Sequence, residues 1–105
     1  MAFRVEFTPQ ADDHVAELTA RERATLIDRV EEQLLHEPTT EMRNRKPMRP
    51  NPLAPWELRV GRLRVYYDVE DDVVTIRAIG VKVRRRVRIG GEWWEPDRER
   101  GGGKP

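Results

Sequence analysis

Along residues 56 to 69 apolar and polar side chains alternate almost without a break. Trp56, Leu58 and Val60 fall on one side of an extended run, with Glu57 and Arg59 on the other. After Gly61 and Arg62 the alternation resumes, with Leu63, Val65, Tyr67 and Val69 set against Arg64, Tyr66 and Asp68. A period of two is that of a strand with one dry face and one wet face. Val73, Val74, Ile76, Ala78 and Ile79 form a more continuous apolar run, as a central strand requires. Gly61 tolerates the positive φ of a tight turn, and Glu70, Asp71 and Asp72 supply a second, acidic turn. The pattern therefore predicts an antiparallel meander of strands 56–60, 63–69 and 73–81. Val87 to Ile89 predicts a further strand, Gly90 and Gly91 a turn, and Glu92 to Glu95 a brief return at the edge.

Ahead of the meander the period changes. Phe3, Val5 and Phe7 alternate with Arg4 and Glu6, which predicts a short first strand. Thr8 and Pro9 read as the cap and first position of a helix, because proline lacks a donor that a helix start leaves unpaired anyway. That helix is predicted to run to about Leu18. Thr19 with Glu22 matches a capping box, and Ala24, Ile27, Val30 and Leu34 then recur at helical spacing until Pro38. Residues 38–55 hold five prolines and four basic residues with no period, and are expected to form a loop without an element of its own.

The chain has 105 residues, enough for one domain, and only 37% of them are hydrophobic, so the core must be thin and a two-layer arrangement is expected. The expected fold class is α+β: two N-terminal helices packed on a mostly antiparallel sheet of four or five strands, in a single domain spanning 1–96. Residues 97–105 are charged and glycine-rich and are expected to be a disordered tail. The absence of cysteine excludes a disulfide, a thiolate metal site and a cysteine nucleophile. Neither a signal segment nor a long apolar span is legible, so the expectation is a cytoplasmic protein with no membrane partner.

Charge sharpens the picture, because the formal net of +1 conceals strong segregation. Residues 1–42 carry four basic groups against ten acidic ones, a net of −6, whereas residues 43–92 carry thirteen against six, a net of +7. Cationic strands with few other reactive side chains point to a phosphate partner. Arg43, Arg45, Lys46 and Arg49 in the proline-rich stretch are candidates for phosphate-backbone contact, or else solubilise an exposed loop. Lys82, Arg84, Arg85, Arg86 and Arg88 form a denser run that cannot share one face and could serve both RNA and an acidic protein segment. Tyr66 lies on the Arg64 face, where it could stack on a base or pack across strands. Trp56 belongs to the core at the loop-to-strand junction, and one of Trp93 and Trp94 is expected to pack back while the other stays exposed. His14 and His36 lie on the helices without a partner in the basic region, so neither is expected to be catalytic or to form a metal site.

Over residues 2 to 92 the chain resembles the RelE/ParE superfamily of bacterial type II toxin-antitoxin toxins. The likeness rests on the connection from Pro38 to Pro55 leading into WELRVGRLRVYYDV, and on VVTIRAIGVKVRRRVRIGG. The resemblance implies a helical hairpin against an antiparallel sheet, a cognate antitoxin as partner and, in the favoured RelE branch, a ribosome-dependent endoribonuclease that inhibits translation. Such enzymes cut mRNA by attack of a ribose 2′-OH on the adjacent phosphate, with no metal and no cofactor, and their partners are the ribosome and mRNA. Arg59, Arg64 and Lys82 match basic positions that family toxins hold near the phosphate. The chain departs from the pattern twice: a lysine of some RelE proteins is Glu57 here, and their C-terminal tyrosine falls at about Arg88. Glu57 is then a candidate general base, or a carboxylate paired with a neighbouring arginine. A DNA gyrase inhibitor of the ParE branch and an inactive antitoxin-binding relative are the alternatives that the same fold allows.

Overall fold

A computed structural model describes residues 2–94. Its elements are β1 (Arg4–Phe7), α1 (Pro9–Ala16), α2 (Ala20–Leu34), β2 (Arg45–Pro47), β3 (Trp56–Val60), β4 (Leu63–Glu70), β5 (Val73–Val83), β6 (Arg86–Ile89) and β7 (Glu92–Trp94). The sheet runs β2-β3-β4-β5-β6-β7 with every neighbour antiparallel, while β1 pairs in parallel with β5. The fold class, two helices on a mostly antiparallel sheet in one domain, is therefore as expected, with seven strands in place of four or five. The expected tail from 97 onward lies outside the described residues.

Both helix starts follow the sequence signals. Thr8 Oγ1 accepts from Ala11 N–H with Pro9 opening α1. Thr19 and Glu22 close a reciprocal capping box at α2, in which Thr19 N–H donates to Glu22 Oε1 at 3.0 Å and Glu22 N–H donates to Thr19 Oγ1 at 3.1 Å. The backbone amide at Thr19 holds the Glu22 carboxyl below its ordinary pKa. α1 ends at Ala16 rather than Leu18, where the Leu18 side chain turns into the core instead of continuing the helix. Of the predicted stripe α2 buries Val30 and Leu34, whereas Ala24 and Ile27 are exposed and Leu26 takes the inner place instead. The apolar side chain at 26 sets the buried stripe one position earlier, and Ile27 then points along the flank.

β5 is the spine. Residues 73–76 pair with β1 and residues 80–83 pair with β6 on the same edge, leaving a gap in the ladder between them. α1 closes that gap from both of its ends: Thr8 N–H donates to the Ile76 carbonyl at 3.0 Å, Thr8 Oγ1 donates to the Arg77 carbonyl at 3.3 Å, and His14 Nδ1 accepts the Ile79 N–H at 3.1 Å. His14 is thus a structural acceptor, with its proton on Nε2. The helices cover one face of the sheet around Leu26, Leu34, Leu58, Val65, Val74 and Ile76.

The proline-rich stretch does contain an element. β2 pairs with β3 in the register Arg45↔Leu58, Lys46↔Glu57 and Pro47↔Trp56. Proline is tolerated there because β2 is an edge strand. Between Arg49 and Ala54 the chain turns around Asn51, whose amide donates to the Arg49 and Ala54 carbonyls while its oxygen accepts from Leu53 and Ala54 N–H.

Candidate phosphate-binding face

The second face of the sheet carries no helix. It begins with alternation in β3 and β4, which puts Glu57, Arg59, Arg64, Tyr66 and Asp68 on the side away from α1 and α2. Register then brings them together. Arg59 stands directly opposite Arg64, Glu57 opposite Tyr66, and Arg64 in turn opposite Gly80 of β5. Lys82 follows two residues along β5 on the same face, half-buried, with its own amide donating to the Arg62 carbonyl at 2.7 Å. The sequence-predicted set Glu57, Arg59, Arg64 and Lys82 thus occupies one patch across three adjacent strands.

Two guanidiniums directly opposite each other on a sheet repel and destabilise the pairing. Here their surroundings hold them. Arg59 Nε sits 3.1 Å from Glu57 Oε1, and the Glu57 side chain is only 9% exposed. Arg64 Nη1 donates to the carbonyls of Gly61 and Leu63 at 2.8 and 2.9 Å. Burial draws the Arg64 pKa down, Glu57 opposes that shift and Arg59 adds to it; the group nonetheless stays charged at any working pH. Gly80 keeps β6 close, since a Cβ there would lie 2.4 Å from Val87 Cγ1 and 2.8 Å from Ile89 Cγ1.

Tyr66 is not the exposed stacking platform that its face suggested. It is fully buried, because Trp94 of β7 folds over the sheet and meets its ring edge-on at a centroid distance of 5.3 Å. Ala54, Ala78 and Val87 complete this small second core, with Leu53 and Met48 of the proline-rich turn against it. The Tyr66 hydroxyl makes no well-formed hydrogen bond, yet the Glu57 carboxylate lies near enough to act on it by charge and as an acceptor; burial first, then Glu57, pushes its pKa far above the ordinary value. Half of the supposedly wet face is thus covered by turn and edge strand, which alternation within a strand could not reveal.

Arg45 is also withdrawn from the surface. At 2% exposure its guanidinium donates to the Thr40 carbonyl at 2.8 Å and to the Gln33 carbonyl at 2.6 Å, clamping the end of α2 to the turn that follows. A buried, saturated arginine cannot track phosphates, so the expectation of RNA contact by Arg45 is replaced by a structural role. Arg43 and Arg49 are exposed, and Lys46 is half-buried in the edge strand opposite Glu57. Asp68 pairs with Arg77 at 2.7 Å rather than with Arg59 or Arg64. This pair, with Arg49 and Asn51, borders an open cleft of about 700 Å³ at the far end of the same face. Arg84 and Arg85 are exposed at the turn between β5 and β6. Two side chains that shape the site were not singled out for it from sequence: Trp94, which covers Tyr66, and Arg77, which claims Asp68.

Among the described residues no cluster of three or more His, Asp or Glu could hold a metal ion, and no helix is long and apolar enough to cross a membrane. No family model and no curated protein matches the chain. A solved structure does: the toxin-antitoxin complex RelBE2 from Mycobacterium tuberculosis contains a chain to which this one is similar with a TM-score of 0.66 and 25% identity, over 78% of this chain and 100% of that one. The helical hairpin and the mostly antiparallel sheet agree with that likeness. The fold is therefore that of a chain of a toxin-antitoxin complex, a likeness that supports the RelE/ParE-like toxin superfamily and leaves its branch open.

Proposed function

We propose that the protein is the toxin of a toxin-antitoxin pair, held by a cognate antitoxin, and that its uncovered sheet face cleaves mRNA on the ribosome. The toxin role and the antitoxin partner rest on the likeness to a chain of the RelBE2 complex. The observation that carries the catalytic reading is the Arg59↔Arg64 cross-strand pair, two like charges held side by side on an otherwise weakly charged strand pairing. Such an arrangement opposes stability and is suited to a dianionic phosphorane, whose equatorial oxygens two guanidinium forks can bind together.

In this reading the ribose 2′ oxygen attacks phosphorus, the bond from phosphorus to the 5′ oxygen breaks, and a 2′,3′-cyclic phosphate and a 5′-hydroxyl result. When phosphate draws Arg59 away, the Glu57 carboxylate is released from its ion pair and takes the 2′ proton. Lys82, charged and two residues beyond Gly80, protonates the departing 5′ oxygen. Arg43, Arg49 and Lys46 lie at the margin as backbone contacts.

A programmed mRNA incubated with the purified protein, with and without ribosomes, tests the proposal by primer extension. Cuts confined to A-site codons and dependent on ribosomes are expected, and Glu57→Gln should slow them about 100-fold. A second reading has its own observation: Glu57 is held by Arg59 and Arg64 by backbone carbonyls, so no group at the site is a free base. It makes the same face a binding surface, as in gyrase inhibition or an inactive antitoxin-binding relative. Absence of any cut, with inhibition of gyrase supercoiling, would replace the first reading by that one.

A further inference from the structure

The hairpin formed by β6 and β7 has two differently used sides. Val87 and Trp94, paired with each other, face Tyr66 and are packed. Arg86, Arg88 and Trp93 point the opposite way, to the side of the sheet on which the helices lie but beyond their reach, and all three are exposed. Trp93 is 43% exposed, a large value for an indole held in a strand. The Arg86 guanidinium carbon lies 4.1 Å from its ring centroid and that of Arg88 lies 5.8 Å away. Both distances fall within the range of cation-π attraction. Among the described residues neither arginine has an acidic partner.

We infer that Trp93 with Arg86 and Arg88 is a second nucleic-acid contact, a platform on which bases of a single strand stack while the guanidiniums take the adjoining phosphates. An exposed indole with a guanidinium stacked over it presents planar groups beside hydrogen-bond donors, on which a base can stack next to its phosphate. A carboxylate-rich peptide would satisfy the cations yet supply no planar group to the indole. Arg84 and Arg85 continue the positive charge onto the adjacent turn, giving the strand's backbone a path off the platform. This surface lies across the sheet from Arg59 and Arg64, so it anchors a strand and does not cleave it. The inference extends the nucleic-acid reading above but does not depend on its chemistry.

Single-stranded DNA of roughly ten nucleotides, a length within the usual site size, is a suitable probe because it lacks the 2′-OH and cannot be cut. Its anisotropy is followed across a salt series with the full chain and with variants. Trp93→Leu should weaken binding about tenfold without changing the salt slope, whereas Arg86→Gln with Arg88→Gln should reduce the slope by about 1.4. Arg64→Ala should leave the Trp93 dependence intact. Circular dichroism guards against misfolding, and Trp93→Phe, which keeps a ring, should recover most of the loss. Equal binding by wild type and Trp93→Leu overturns the platform. Tighter binding of labelled oligoglutamate than of DNA, with the same dependence on Trp93, reassigns the surface to an acidic peptide and also overturns it. A protein that binds DNA through Trp93 but cuts no programmed mRNA keeps this inference and loses the nuclease; one that cuts mRNA without Trp93-dependent binding does the reverse.

Discussion

The two faces of the sheet are made by alternate residues of the same strands, yet they are built to different ends. Toward the helices, Leu58, Val65 and Ile76 are fully buried in a continuous apolar layer. One residue along, Glu57, Arg59 and Arg64 crowd three charges onto two strands, with a tyrosine hydroxyl buried beside them without a well-formed hydrogen bond. The first face lowers free energy at nearly every position. The second spends some of that stability on a charge arrangement that packing alone does not require, and this contrast is the reason for proposing the site there.

Substitutions at matched positions on the two faces should separate these ends. Leu58→Ala, on the covered face, should lower unfolding free energy by about 2–5 kcal/mol in a urea titration, enough to threaten the fold of a domain this small. Its cross-sheet counterpart Arg64→Ala should reverse the pattern, leaving the urea midpoint almost unmoved while relieving growth arrest and slowing cleavage about 100-fold. Persisting arrest in a folded Arg64→Ala protein would dissolve the distinction between the faces. Gly80→Ala probes the junction, because its methyl group meets Val87 and Ile89; a loss of about 1–3 kcal/mol is expected, with β6 displaced from β5 in the amide exchange pattern. The smallest effect is expected at Tyr66→Phe, which removes a buried hydroxyl that makes no well-formed hydrogen bond and has only the nearby Glu57 carboxylate to turn to. Stability should hold within about 0.5 kcal/mol or rise, whereas a loss above about 1 kcal/mol would reveal a partner for that hydroxyl.

Much of this was legible in the sequence for a physical reason: strands and helix caps are local. The strands between Trp56 and Val69, the Thr19 and Glu22 box and the glycine turn at 61 each depend on a few neighbouring residues, and each appears as read. The grouping of Glu57, Arg59, Arg64 and Lys82 was also available, since a meander with tight turns fixes its own register. What escaped was decided by distant segments. Pairing of β2 with β3 needs the whole proline-rich turn to fold back. Burial of Tyr66 depends on Trp94, and burial of Arg45 depends on carbonyls of Gln33 and Thr40, none of which a local period can announce. Only the first half of the α2 stripe was misread, because Leu26 and Ile27 are both apolar and only the sheet beneath them chooses.

The parallel pairing of β1 with the first half of β5 also sets a timetable. Arg4 is registered with Val73, so the first strand made has no hydrogen-bonding partner until most of the domain has been synthesised. Until then α1 cannot anchor Thr8 and His14 to β5, and the apolar side of α2 has only a partial sheet to lie on. Non-local closure of this kind slows folding and keeps apolar surface exposed on the nascent chain. The described domain is therefore completed late, with β5 as the strand on which both β1 and the β6–β7 hairpin settle.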